Sequence, residues 1–213
     1  MPIPITNATQ ELPAVNEILA SVGQAPVTTL DQTNPDVAIA YDTLLRVSRE
    51  VQAEGWSFNI EYDYPQTTTN KQYTIPNNML QVDLASQPNS TSRVANASKD
   101  VVRRDGRLYD KHNHTYDITS ADSAEIKLDV TWLFDWVDLP VPIQDYIVSR
   151  AAVIVSSRIV GDGGQYQMLQ QKEAYTRAMA LEYETQQGDY TFFGQPRGAN
   201  YYNSYQPYHA LYR

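Results

Sequence analysis

LPAVNEILASVGQAPVTTL, residues Leu12 to Leu30, answered by GWSFN at Gly55 to Asn59, is the stretch whose reading decides the fold. Val15, Ile18, Leu19 and Val22 recur at helical spacing while Asn16, Glu17 and Ser21 take the other face, so the spacing predicts a short amphipathic helix. Gly23 stands where a left-handed C-cap is wanted, and Pro26 follows as expected beyond a helix end. Val27 to Leu30 reads as a brief extended connector. Asn34-Pro35-Asp36 then caps a second helix, with proline in its first turn. That helix runs to Glu54, and Gly55 ends it. Trp56-Ser57-Phe58-Asn59 carries the chain from helical into β grammar.

Outward from this stretch, Val37, Ala40, Tyr41, Leu44, Val47 and Val51 form the apolar stripe of the second helix, which needs a partner. From Trp56 to Leu139 the pattern changes to period two: Ile60 to Tyr64, Lys71 to Ile75, Leu80 to Leu84 and Ile126 to Trp132 all alternate. Asp105-Gly106 predicts a type I′ hairpin, because both residue types tolerate positive φ. Lys111 to His114, ahead of Tyr116 to Ile118, reads as a second tight connection. Pro65 to Asn70 and Gln87 to Ser98 read as polar loops. Helical grammar returns after Pro140, with Ile143, Ile147, Ala151, Ile154 and Ile159 as the spine of a strongly apolar helix. Gly161-Asp162-Gly163-Gly164 breaks it. A fourth helix is expected from Gln165 to Gln187, with Met168, Tyr175, Ala178, Met179 and Leu181 as its inward face.

The fold expectation is therefore α+β. A four-helix bundle is built from N-terminal (1–55) and C-terminal (140–187) segments, with a small antiparallel β domain (56–139) inserted and an extended arm (188–213) at the end. The arm is rich in aromatics: Tyr190, Phe192, Phe193, Tyr201, Tyr202, Tyr205, Tyr208 and Tyr212 stand among glycine, proline and asparagine with no helical or strand period. Tyrosine suits half-wet contacts, so these eight residues are the candidate interaction site, on a neighbouring subunit or another protein. The plainer reading folds the arm back on its own bundle.

Composition excludes several classes. With 42% hydrophobic and 19% charged residues the chain is that of an ordinary folded protein. No apolar run approaches the ~20 residues of a membrane span. The start MPIPITNATQ has neither the basic nor the apolar part of a signal peptide. Zero cysteines remove disulfides and thiol nucleophiles, and fit cytoplasmic production. The net charge of −9 is uneven. Residues 1–64 hold nine acids against two bases, Arg46 and Arg49, where a DNA-gripping protein shows the opposite bias. This acidity reads as solubility or, more sharply, as a wall that DNA passes without sticking.

Chemistry is sparse. His112-x-His114 could face one side of a strand for a metal, but no third ligand is fixed, and a polar hairpin tip explains the pair. Asp129, Asp135 and Asp138 near Trp132 and Trp136 could line a glycosidase cleft, which in a retaining enzyme needs two carboxyls ~5 Å apart. A solvated face explains them as well. Arg93, Lys99, Arg103, Arg104, Arg107 and Lys111 form a basic cluster interleaved with Asp100, Asp105 and Asp110, so a salt-bridged hairpin or a subunit contact is favoured over nucleic acid. No phosphate loop, nucleophile elbow, HExxH or dinucleotide fingerprint is present. No catalytic residue, metal or cofactor is assigned.

Ala14 to Gly23, Pro26 to Leu30 and Gly55 to Asn59 resemble the tail tubular protein A family, the adaptor (gatekeeper) proteins of short-tailed podophages. Arg107-Leu108-Tyr109-Asp110, Leu139-Pro140 before Tyr146-Ile147-Val148, Glu182-Tyr183-Glu184 and Gly188-Asp189-Tyr190 match in the same order. The resemblance implies a structural virion protein of the tail, made in the host cytoplasm and not an enzyme. It implies a homo-oligomeric ring, a dodecamer, whose partners are the portal protein and the tail nozzle protein. DNA would pass through its channel during genome ejection without sequence-specific binding, and no membrane is involved. The bundle helices would make the ring body and the arm would engage the portal. The competing expectations are a tail-associated glycan hydrolase using carboxylates of the β domain, and a monomeric binding module.

Overall fold

Asn34 begins the second helix by accepting a hydrogen bond from the Asp36 N–H at 3.0 Å, with Pro35 at the first position where its missing donor costs nothing. The computed structural model describes residues 8–31, 33–85 and 100–188. It is mixed α+β: four helices, α1 (Ala8–Ser21), α2 (Pro35–Ala53), α3 (Val141–Ile159) and α4 (Gly163–Gln187), with five strands in two small antiparallel sheets. The strands are β1 (Ile60–Thr67), β2 (Met79–Leu84), β3 (Val101–Arg104), β4 (Arg107–Asp110) and β5 (Glu125–Trp132).

Helix α1 starts four residues before Leu12, so Pro13 lies inside its opening turns rather than before them. Its end follows the expected cap. Gly23 sits at φ +77°, the Gln24 N–H reaches the Leu19 carbonyl at 3.0 Å and the Gly23 N–H reaches Ala20 at 3.1 Å, which is a Schellman closure. Asn16, on the polar face, grips the connector by bonding both the N–H and the carbonyl of Val27, at 2.8 and 3.0 Å. Val15, Ile18 and Leu19 meet the whole predicted stripe of α2 in one core. Helix α3 is the element common to this core: α1, α2 and α4 all pack against it. Burial of Ile143, Tyr146, Ile147, Ala151 and Val155 on several sides accounts for its apolar composition. Ile154 and Ile159, expected on the spine, are only partly buried.

The face expected to bury α4 is wrong. Met168, Tyr175, Ala178, Met179 and Leu181 are all exposed, and the buried positions are Thr176 and Ala180. Small side chains let α4 approach α3 closely, and the Thr176 hydroxyl satisfies itself on the carbonyls of Lys172 and Glu173. Helix α4 also begins two residues early, at Gly163, because the Asp162 carboxylate caps the Gln165 N–H at 2.8 Å.

In the β region, β5 is the central strand, flanked by β1 and β2, and Ile126, Leu128 and Val130 point inward at period two. A second core gathers Tyr73, Ile75, Met79, Val101, Leu108 and Ile118 around them. Strands β3 and β4 form the predicted hairpin, with Asp105 at φ +51° and Gly106 at φ +71°, the two positive angles of a type I′ turn. Three expectations differ. Pro65 belongs to β1 rather than to a loop, which is tolerated because β1 is an edge strand and needs no outward N–H. Lys71 to Ile75 is not a strand. It makes isolated bridges, while the Ile75 N–H bonds the Gly106 carbonyl and Tyr73 accepts from the Leu108 N–H. Tyr116 to Ile118 is likewise not a strand, the nearest pairing being the single bridge Asp110–Thr115. The Gln87 to Ser98 stretch lies outside the described residues.

Candidate functional site

The two cores meet at Gly55 to Asn59. Asn59 is fully buried; its carbonyl oxygen accepts from the Trp56 N–H at 2.8 Å, and its amide donates to the carbonyls of Gln52 and Trp132 at 2.8 and 2.9 Å. Gln52, equally buried, accepts from the Phe134 N–H at 2.7 Å and donates to the Phe134 carbonyl at 3.2 Å. One amide thus ties the chain leaving α2 to the chain returning toward α3. Trp56 lies in the helical core and donates its indole N–H to the Val51 carbonyl at 2.7 Å. Glu184 of α4 accepts from the Ser57 N–H and hydroxyl at 3.0 and 2.9 Å, so the far end of α4 is pinned to the same junction.

Beside this junction lies a cavity of about 280 Å³, lined among others by Glu11, Leu44, Arg49, Asn78, Phe134 and Asp135. The sequence reading did not single out Glu11, although it stands four residues before Val15 and seven before Ile18, on the inward face. Burial raises its carboxyl above the ordinary value, the hydrogen bond from the Tyr41 hydroxyl at 2.6 Å pulls the other way, and Asp135 pushes it up again. Burial and the Glu11 carboxylate together push the Tyr41 phenol well up.

The cleft read from three aspartates is not assembled. Asp135 lines the cavity, but Asp129 and Asp138 do not; Asp129 accepts from the Asp63 N–H at 3.1 Å, and Asp138 closes a 3₁₀ turn at Trp136–Asp138. His112 and His114 fall in the turn after β4, which Asp110 organises. Burial works to raise the Asp110 carboxyl. The bonds it accepts from the Asn113 amide and from the Asn113 and His112 N–H groups outweigh that and hold it below the usual range. Among the described residues no group of three or more acidic or histidine side chains could hold a metal.

The basic hairpin is largely satisfied within the chain. Arg104 stacks over Tyr109 at 4.0 Å and Arg107 over Tyr116 at 4.3 Å, Arg103 donates to the Met79 carbonyl, and Lys111 pairs with Asp100. Arg93 and Lys99 lie outside the described residues. The N-terminal acidity is also partly engaged: Glu17 pairs with Lys172, and Glu50 and Glu54 with Arg150.

What stands open to solvent is the outer face of α4, where Met168 is 73%, Tyr175 67% and Met179 43% exposed. The candidate residues Tyr190, Phe192, Phe193, Tyr201, Tyr202, Tyr205, Tyr208 and Tyr212 follow this helix in sequence and lie outside the described residues. Among the described residues no helix is long and apolar enough to cross a membrane.

Comparison with known proteins adds two findings. A family described as tail tubular protein matches residues 12–190. A curated relative, tail tubular protein A of Klebsiella phage KP34, is 26% identical over 177 residues, covering 82% of this chain and 87% of that protein.

Proposed function

The chain belongs to the tail tubular protein family, structural proteins of the phage tail, and from that premise we propose that it is the adaptor ring between the portal and the tail nozzle. Its place is the virion tail. In this reading the chain is made in the host cytoplasm and twelve copies close a ring. The four helices form a bundle that makes the ring body, with the β region inserted in it, and DNA leaves through the channel without being read. The Tyr-rich segment 188–213 docks the ring to what lies beside it, the portal or the adjacent subunit.

The observation that carries this is the outward apolar face of α4. A helix whose Met168, Tyr175 and Met179 face water, on a protein with a core elsewhere, is built for a contact that the described residues do not make. The unassembled Asp129, Asp135 and Asp138 give the hydrolase reading no support. Native mass spectrometry and particle images of the protein, alone and with portal, test the proposal. A closed ring in either sample is expected, and monomer alone in both would refute it. Deleting Ala199 to Arg213 should leave the helices folded and weaken attachment by several orders of magnitude, since buried aromatic anchors carry ~2 kcal/mol or more each. A truncated protein that attaches normally would remove the segment from the interface.

A further inference from the structure

The orientation of α4 is fixed from three sides. Thr176 and Ala180 seat it on α3, Gln165 and Lys172 bond Ser21 and Glu17 of α1, and Glu184 bonds Ser57. The helix therefore cannot roll to hide Met168, Tyr175 and Met179, which recur at i, i+7 and i+11 and make one stripe along it. We propose that this stripe is the seat of the Tyr-rich segment, residues 189–213, of a second copy of the chain. The inference rests on the ring reading and gives that ring a specific contact between neighbours.

Three observations select this occupant. The first is composition: methionine and tyrosine form a soft, adaptable surface for aromatic rings, and eight aromatics follow α4 with glycine and proline between them. Reach is the second. Met168 to Met179 spans about 17 Å of helix, and residues 189–213 extend over as much as about 80 Å, enough to leave one subunit and lie along the next. The third is direction. At Gly23 and Gly161 the chain turns back across a helix end in the left-handed conformation, with φ of +77° and +68°. Gly188 instead remains right-handed, at φ −75° and ψ −7°, with its N–H on the Glu184 carbonyl. The described chain thus ends still heading along the helix axis, without the reversal seen at Gly23 and Gly161, and a segment continuing on that heading would meet a neighbour's stripe before its own.

The absence of cysteine from the chain makes the test clean. Full-length Met179→Cys protein is mixed with full-length protein carrying one cysteine in place of Tyr190, Tyr201, Tyr205 or Tyr212, and the mixture is oxidised. A disulfide-linked heterodimer is expected for at least one pair, and its yield should fall at least about tenfold when Met168→Gln and Tyr175→Gln accompany Met179→Cys. Native mass spectrometry of each mixture reports whether subunits assemble at all. Bonds that close only within one chain, when Met179→Cys and the tail cysteine share that chain, would overturn the exchange between copies. Assembled rings without any cross-link would overturn this seat while leaving the ring reading intact. Monomer masses alone, with portal added as well as without it, would overturn both.

Discussion

Replacing Asn59 by alanine should destabilise the helical and β regions together. The side chain is wholly buried and makes three hydrogen bonds, each to backbone. Its loss leaves the Trp56 N–H without the acceptor it has at 2.8 Å, and an orphaned buried donor costs about 1–3 kcal/mol. The Gln52 carbonyl keeps a second bond from the Gly55 N–H at 3.2 Å, so losing the amide there costs less. With about 0.5–1.5 kcal/mol for each donated bond, the total is roughly 2–6 kcal/mol, against a stability of about 5–15 kcal/mol for a typical protein.

Urea unfolding read by tryptophan fluorescence measures this directly, because Trp56, Trp132 and Trp136 all flank the junction. With a urea slope of about 2–3 kcal/mol per molar, the midpoint should drop by roughly 1 M or more. Circular dichroism should report the same midpoint, since the helices and the sheet share this joint. Asn59→Asp keeps an acceptor for Trp56 but loses both donated bonds and buries a charge, so it should be no milder. A loss under about 1 kcal/mol with unchanged slope would refute the reasoning, as would fluorescence and dichroism midpoints that separate in the variant.

Glu11→Gln keeps an acceptor for the Tyr41 hydroxyl and removes the buried charge. Because the Glu11 carboxyl is raised above its ordinary 4.5, the stability it contributes is full below that value and is lost as pH rises through the raised value. The variant's urea midpoint should therefore exceed that of the parent at pH 7 and converge with it at pH 4, and an equal difference at both would contradict the assignment. Gly55→Ala should cost more than Gly23→Ala in the same assay. Both sit at positive φ, which alone costs about 1 kcal/mol, but only at Gly55 would the new methyl meet a neighbour, Ile60 Cδ1 at 3.2 Å. Asp135→Asn and His112→Ala should leave DNA delivery by well-folded virions near normal, and loss of infectivity with normal tails for either would revive the hydrolase reading.

Where one face of an element is buried against larger partners, the sequence pattern is legible. Val15, Ile18 and Leu19 on α1, and Val37 to Val51 on α2, are apolar because they face the core and are flanked by residues that do not. The Asp105-Gly106 turn is legible for a different reason, since its two positive φ angles are conditions that few residue pairs accept. The turn at Asn70-Lys71 has two positive angles as well, +51° and +63°, but lysine is not chosen for that conformation. Here the pairing of Thr69 with Gln72, bonded in both directions, holds the turn, and a local reading sees only a polar loop. Glu11 was missed for a related reason: its place on the buried face is visible in the spacing, but an acid there has meaning only once Tyr41, thirty residues on, is brought beside it.

Helix α4 fails in a more informative way. A periodicity argument assigns the inward face to a row of apolar residues, here Met168, Tyr175, Ala178, Met179 and Leu181. In the folded chain the inward face belongs to Thr176 and Ala180, whose small size allows close approach to α3. The pattern argument assumes that apolar residues serve one interior, and for the stripes of α1, α2 and most of α3 that holds because a single core takes them. A helix with a second set of apolar residues, pointing about a quarter turn away from the first contact, has two surfaces to satisfy. Only one of them is satisfied among the described residues. The stripe that misleads a single-chain reading is thus the same feature the ring proposal assigns to the contact between copies, and the residue types that cause the error are those a neighbouring aromatic segment would need to find there.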